Sequence, residues 1–409
     1  MHPNLEKRIS FCSDFMGKRA IFLVVALIIS GVFSGKVLSS EPNEVSHAEQ
    51  DSIHATANQH SGSKEDKVDM AAIAIEHVLD AHSWHLWGEG HESMSMPLPV
   101  ILKGKNGFVF FSSGEFHHDT HGTVVVEKNG ERFVNYEEDI YYASETPNEH
   151  GQYLEFETTV KGKYEPLNAQ PLDFSITKCT AQLLLSALIL VLLFTSIARA
   201  YKRTGVTSAP SGKQSFLEPL IVFVRDEIAK SNISADKYEK YTPYLLTVFF
   251  IILINNIFGL IPISANLTGN IAFTFVLAMI TFIVTTVSGN KYYWGHIFLP
   301  PAPKALYPIL IPLEFLGIFT KPFALMIRLF ANMTAGHIIV ISLVGLIFAF
   351  KTIFISPVAV GFALFIDILE CLVALLQAYI FTLLTALFIG SASHAHHHDD
   401  EHAEEAAHH

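Results

Sequence analysis

An arginine stands in the middle of an apolar run. The stretch "IRLFANMTAGH", Ile327 to His337, follows directly on the apolar "FALM". A guanidinium at the centre of a membrane helix costs about 2.5–3.5 kcal/mol on insertion scales, so its presence needs a use. Arg328 also has company. Glu314, Lys321 and Arg328 are spaced by seven residues, and Asn332 and Ala335 follow at plus four and plus seven. At 3.6 residues per turn these positions form one slowly drifting face. Beside Arg328 the stripe turns small, with Ala331, Ala335 and Gly336, which permits close approach by another helix.

The last apolar segment has a matching stripe: Ala374, Gln377 and Phe381 lie four, seven and eleven residues after Glu370, with Asp367 nearby. Two polar stripes on consecutive helices predict a hairpin with an ionisable, water-accessible seam. The chemistry divides by residue type. Histidine and carboxylates load and unload protons once burial shifts them, so His337 with Glu370 could form a relay. Arginine stays charged, which makes Arg328 a fixed electrostatic element that blocks leakage and attracts a mobile carboxylate. A blander account has Arg328 merely neutralising Glu370 or Asp367 to hold the hairpin together. Earlier in the chain, Asn255 and Asn256 precede Gly259 and Pro262. Their amides could line an aqueous path or hydrogen-bond a neighbouring helix, and residue types alone leave both open.

The elements that must position these groups are apolar runs at about 180–198, 243–264, 269–288, 309–349 and 353–389. The first three suit the roughly 20 residues of a spanning helix. The last two are too long to stand upright and must tilt steeply, bend or break, as a long tilted hairpin, with Pro312, Pro322 and Pro357 as points for that. The fold class expected is a mainly α polytopic membrane protein with about five membrane-embedded helices. Between the first two runs, "SFLEPLIVFVRDEIAKSNI" puts Phe216, Leu220, Phe223, Val224 and Ile228 on one side, with Arg225 and Asp226 opposite. It suits an interfacial helix or a packed one equally.

Charge divides the chain. Residues 41–175 carry 24 Asp/Glu against 8 Lys/Arg, whereas residues 242–390 hold only eight charges. The net charge of −12 therefore belongs mainly to a soluble acidic segment and gives no support to nucleic-acid binding. At the start, Lys18 and Arg19 precede an apolar core and then small residues, the pattern of a signal peptide over 1–40. An uncleaved anchor is the alternative, and either places 41–175 outside the cytoplasm. The 199–240 segment holds eight Lys/Arg, which by the positive-inside rule faces the cytoplasm.

Within 41–175, residues 41–70 read as a polar lead-in, and "AAIAIEHVLDAHSWHLW" as one short helix. A β-rich part over 98–165 is expected from "GFVFFS", "GTVVVEKNGERFV" with its Asn129-Gly130 turn, and "GQYLEFETTV". His77, His82, His85, His117, His118 and His121 are irregularly spaced without accompanying cysteines. That favours surface histidines over a metal site. Three scattered cysteines suggest no disulfide framework. Residues 391–409 are a His- and acid-rich tail.

"RLFANMTAGH", preceded by "LEFLGIFTKPFALMI" and followed by "ECLVALLQAYIFTLLTALF", closely resembles subunit a of the F-type ATP synthase over roughly 175–390. The resemblance implies a stator in the bacterial inner membrane, whose long hairpin embraces a rotating c-ring beside a b-type peripheral stalk and other subunits in the lipid bilayer. It implies two half-channels, with Arg328 as the essential arginine between them. Asn332 and Gln377 match its polar partners, Glu314 the cytoplasmic exit, and Asn256, His337 and Glu370 the outer entry. The membrane domain then covers 176–390. Many bacterial relatives have an acid where this chain has His337 and a histidine where it has Glu370, so the pair is exchanged, as in mitochondrial relatives. Gly259 replaces an acid present in some relatives.

No Gly-x4-Gly-Lys-Ser/Thr loop occurs in the chain, so ATP chemistry would belong to partner subunits and no cofactor is expected. The rival class is a self-contained proton-coupled secondary transporter, but no inverted pair of Gly/Pro-broken helices suggests repeat halves. A membrane anchor for the β-rich part would leave both polar stripes unexplained.

Overall fold

The computed structural model describes residues 80–87, 94–158, 164–204, 212–261, 264–298, 306–350 and 356–393. The expected leader, the polar lead-in and the tail beyond Ser393 lie outside the described residues, as does most of the expected short helix. The described end of that helix is instead a strand. β1 (Ser83–Trp87) pairs antiparallel with β2 (Met94–Pro97), in the register Ser83↔Pro97. The aromatic-rich "SWHLW" suits a pleated pair, whose ladder satisfies its backbone groups as a helical turn would have done.

β3 (Pro99–Gly104) and β4 (Gly107–Ser112) form a hairpin joined at its other edge by β10 (Leu172–Asp173), in the order β10-β3-β4. β5 (Val126–Lys128), β6 (Glu131–Tyr136) and β7 (Asp139–Tyr142) make a second three-stranded meander. The Asn129-Gly130 turn joins β5 to β6, with φ of 52° and 76°. Both residues are left-handed, the conformation a two-residue hairpin loop requires. Alternation places Val100 and Leu102 of β3, Val109 and Phe111 of β4, and Phe133 of β6 in one core. Of the "GQYLEFETTV" stretch, only Phe156–Thr158 is strand among the described residues, as β8, paired with β9 (Tyr164–Pro166).

This β region is tied to the helices at its base. Lys178 N–H donates to the Ala81 carbonyl at 2.9 Å, and Asp80 Oδ1 accepts from Cys179 N–H at 3.1 Å. Free N–H groups at the start of a helix need such acceptors.

The helices are α1 (Lys178–Thr204), α2 (Lys213–Phe223), α3 (Tyr238–Gly259), α4 (Ile271–Ser288), α5 (Lys291–Phe298), α6 (Tyr307–Phe350) and α7 (Ser356–Ser393). Of these, α1, α3, α4, α6 and α7 are long and apolar enough to cross a membrane. α6 runs through 44 residues with Pro312 and Pro322 inside it and no break, about 66 Å at 1.5 Å per residue. Of the three accommodations open to it, tilting, bending or breaking, breaking is not used. Interrupting a helix in lipid would expose several backbone groups, whereas each proline frees one. Pro357 sits in the first turn of α7, where its missing N–H costs nothing.

α2 continues through a π-turn, Val224–Ala229. Leu217, Val224, Ile228 and Ala229 are buried in the helical core, so α2 is a packed helix on one face. Phe216 and Phe223, expected on that apolar side, are exposed. The buried face runs through Leu217, Val224 and Ile228 instead. α3 is the centre of the bundle: every residue from Tyr244 to Leu253 is buried.

Two ends of the bundle can be told apart by their bonds. At the end nearest the β region, Asn270 at the start of α4 reaches Cys179 Sγ at 3.8 Å. At the opposite end, Lys237 Nζ donates to the Ser393 carbonyl and Asn290 N–H to the Ala392 carbonyl, each at 3.0 Å. There Gly390 has no Cβ to collide with the Asn232 carbonyl.

Candidate functional site

α6 and α7 lie side by side and antiparallel. Passing along α6 from Lys321 through Asn332 to Gly336, the facing groups on α7 run backwards through Phe388, Gln377 and Glu370. Small residues on α6 make this approach possible. A Cβ at Gly336 would overlap the Glu370 carboxyl group, so the carboxyl occupies space that only glycine leaves.

Inside the seam the polar groups are held. Asn332 Nδ2 donates to Gln377 Oε1 at 3.1 Å, and Gln377 is buried. Asn256 on α3 donates through Nδ2 to the Ala374 carbonyl at 3.1 Å, one turn beyond Glu370. His337 Nε2 hydrogen-bonds the Gly259 carbonyl. Because a carbonyl only accepts, Nε2 carries the proton in that bond. Glu370 is half-buried, and its Oε1 is enclosed without a hydrogen-bond partner. Asn256, His337, Glu370, Asn332 and Gln377 are thus brought to one stretch of the α3–α6–α7 contact.

Arg328 is different. Its side chain is exposed, and its guanidinium has no hydrogen bond or ion pair among the described residues. It does not neutralise Glu370 or Asp367, as the hairpin-holding account required. Around it Ala324, Ala331 and Ala335 are exposed too, with Phe323, Ile327 and Asn332 beside them. Glu314 stands apart, about 21 Å back along α6 at the ordinary helical rise. It faces Tyr293 of α5, whose phenol is pushed above its usual range by burial first and by the Glu314 charge second.

Several polar groups escaped the sequence reading. Ser186 of α1 accepts from Asn255 Nδ2 at 3.1 Å. Asn266 Oδ1 accepts from Gly269 N–H at 3.0 Å, and Thr334 Oγ1 donates to the Gly269 carbonyl at 3.4 Å. Gln182, also on α1, is buried. Their signal was weak: Gln182 and Ser186 are single polar residues in an apolar helix, and Asn266 lies among the polar residues of a connection.

Comparison with known proteins decides the family. Residues 181–390 match the family model described as the ATP synthase A chain. The chain belongs to that family. Among curated relatives named ATP synthase subunit a, that of Chloroherpeton thalassium is 49% identical over 241 residues, covering 58% of this chain and 72% of the relative. That of Chlorobium phaeobacteroides strain DSM 266 is 47% identical over 243 residues, 58% and 70% of the two chains. The subunit a 2 of Chlorobaculum tepidum is 46% identical over 244 residues, 58% and 69%. Residues 73–174 match a second model, described only as a domain of unknown function.

The A-chain match opens inside α1 and closes inside α7, so it contains the whole seam. As a member of this family the chain is a multi-pass subunit of an ATP synthase complex and the proton-translocating stator of its membrane sector.

Proposed function

We propose that the α6–α7 hairpin presents Arg328 to a ring of rotating c-type subunits, with polar half-channels leading to it from opposite membrane faces. Asn256, His337 and Glu370 serve the entry path, and Glu314 the exit. The observation that carries this is the contrast on α6. The amide and imidazole of the seam are bonded within the chain, while the exposed guanidinium of Arg328, bordered by Ala324, Ala331 and Ala335, has no hydrogen bond or ion pair among the described residues. An unpaired guanidinium in apolar surroundings calls for a counter-charge from outside the chain.

The chemistry follows from fixed charge beside mobile charge. A ring carboxylate receives its proton from the entry path, where His337 and Glu370 can hand it on. After the rotation it arrives near Arg328, whose guanidinium lowers its pKa and releases the proton toward Glu314. Arg328 never gives up its own charge, so no proton crosses directly between the half-channels. The Asn332–Gln377 pair fixes the α6–α7 spacing beside it.

The wider assignment rests on the charge pattern. Eight Lys/Arg over 199–240 favour a cytoplasmic position for that segment in a bacterial inner membrane. Residues 41–175, with the β-rich part at 98–165, then form an extracytoplasmic extension after a leader at 1–40. Residues 176–390 form the membrane domain, residues 391–409 a cytoplasmic tail, and a b-type peripheral stalk holds the subunit against rotation. Single cysteines at Ser112 and Ser231 should label from opposite sides of sealed vesicles. Labelling of both from one side would reject this topology.

Arg328→Ala tests the mechanism. Proton-driven ATP synthesis in vesicles should vanish while assembly is unchanged and passive proton leak remains. Near-normal synthesis by fully assembled Arg328→Ala complex would overturn the assignment.

A further inference from the structure

The β region carries an apolar face that its own core does not use. Alternation in β3 and β4 turns Val100, Leu102, Val109 and Phe111 into that core. The other side of the same sheet should then be polar, as in antiparallel sheets with one solvated face. Instead, Phe108 and Phe110 of β4 are 54% and 67% exposed, and Leu172 of β10 is 62% exposed. Register puts them on one surface: Phe110 stands opposite Ile101, Phe108 opposite Lys103, and Lys103 opposite Leu172. The Phe108 ring lies 6.4 Å, centroid to centroid, from both Phe110 and Phe174. Single exposed apolar side chains need no explanation, but a contiguous aromatic patch does.

Charge and continuity together indicate what covers it. Residues 41–175 hold 24 Asp/Glu against 8 Lys/Arg, yet the outward positions of β3, β4 and β10 include no acid, and Lys103 is their one charge. Asp173, beside Leu172, turns to the other side of the sheet, where its carboxylate meets His82 Nε2 at 2.9 Å. A phospholipid surface repels carboxylates and accepts a lysine, whose stem can lie on apolar surface while its ammonium reaches the headgroups. Along the chain, Leu172, Phe174 and Ile176 alternate straight into the start of α1. Phe174 and Ile176 donate their N–H groups to the Ile101 and Pro99 carbonyls, at 2.8 and 3.2 Å. Phe174 is four residues before Lys178, so even a fully extended chain keeps it within about 14 Å of the first residue of α1. The bonds from Lys178 and Cys179 to Ala81 and Asp80 hold the β region at that place.

We propose that the face bearing Phe108, Phe110 and Leu172 docks on the bilayer, on the leaflet from which α1 starts, with its rings at the headgroup–acyl boundary and Lys103 among the phosphates. The β region is then seated on the membrane and not held clear of it. This goes beyond the proton path, and it holds whichever side of the membrane that leaflet faces. Aromatic side chains at headgroup level are ordinary anchors. A face tethered so near to lipid meets it at high effective concentration, so a weak contact suffices.

The test uses the full chain in assembled synthase, reconstituted in sealed vesicles of phosphatidylcholine and phosphatidylglycerol. The photoreactive p-benzoyl-phenylalanine is placed at Phe110 or, in a second variant, at Leu172, and adducts are read by mass after illumination. Phospholipid adducts should form at both positions, as at Leu188 on the exposed face of α1, and at least tenfold above the yield at the exposed Glu127 of β5. Phe110→Asp should cut the lipid adduct at Leu172 at least fivefold. Lys103→Glu, which leaves the rings in place, should cut it several-fold in these vesicles and less in phosphatidylcholine alone. Adducts to a second copy, to another subunit or to residues 1–40 of the same chain, without lipid, would give the face to protein and overturn the proposal. So would lipid adducts at Leu188 but at neither Phe110 nor Leu172, or a Leu172 yield unchanged by both substitutions.

Discussion

α3 and the α6–α7 hairpin are both apolar, but the chain treats them in opposite ways. Every residue of α3 from Tyr244 to Leu253 is buried by its own neighbours. α6 and α7 instead leave Leu313, Phe315, Phe323, Phe362, Leu364, Ile368 and Leu372 exposed. An all-round apolar helix is one that some environment surrounds completely. For α3 the surroundings are the subunit itself. For the hairpin, on the mechanism proposed above, they are lipid on part of the surface and, at Arg328, a rotating ring. That mechanism puts packing in α3 and function on the face the chain leaves uncovered.

Substitution on the two sides should therefore fail in different ways. The largest effect expected is that of Arg328→Lys, which keeps a cation but loses the planar fork and can deprotonate in poor solvation. Proton-driven synthesis should fall by about 1,000-fold, the scale of losing a fixed electrostatic element, while the amount of assembled complex is unchanged. Synthesis within a few-fold of the parent would mean that charge alone suffices there.

Ile252 and Leu372 sharpen the comparison. Ile252→Ala removes packing on every side and should cost about 2–5 kcal/mol, seen as loss of the subunit from detergent-solubilised complex at lower temperature. Leu372→Ala, at 65% exposure, should stay within about 0.5 kcal/mol. Equal losses would show that a partner covers Leu372 as closely as the bundle covers Ile252.

The smallest effect concerns the amide pair. Asn332→Leu and Gln377→Leu should each slow proton flow, and the double substitution should cost less than their sum by about 0.5–2 kcal/mol, because both remove one bond. Strict additivity would place the two amides in separate roles.

Much of the seam was legible because apolar context makes polar residues conspicuous. Glu314, Arg328 and Asn332 on one face, and Glu370 with Gln377 on the next, could be read from spacing alone. Which side of that face turns away from the chain could not. Spacing groups Arg328 with Asn332, yet one projects outward and the other reaches Gln377, a choice made by neighbouring helices. The prolines of α6 left tilting, bending and breaking open, and the structure excludes the break, since no water in lipid can satisfy a broken helix. Phe216 and Phe223 were misplaced because the face the bundle covers runs through Leu217, a choice the apolar spacing does not fix. In "AAIAIEHVLDAHSWHLW" a helical spacing concealed the strand at Ser83–Trp87, whose partner lies further along the chain. Gln182 and Ser186 stayed silent because a single amide in an apolar helix gains meaning only from what it faces.

The unbroken length of α6 also has a mechanical consequence. In the proposed mechanism the stator is loaded sideways each time a ring carboxylate is pulled past Arg328, and the reaction falls on the helix that carries the charge. A hinge at Pro312 or Pro322 would let Arg328 yield and waste part of each stroke as bending. One continuous rod does not offer that compliance. The far end of α7 is held by Lys237, Asn290 and the close seat of Gly390 against Asn232, which in the proposed mechanism makes the hairpin a cantilever. Its stiffness would then set how much torque a ring can exert before the arginine loses its alignment.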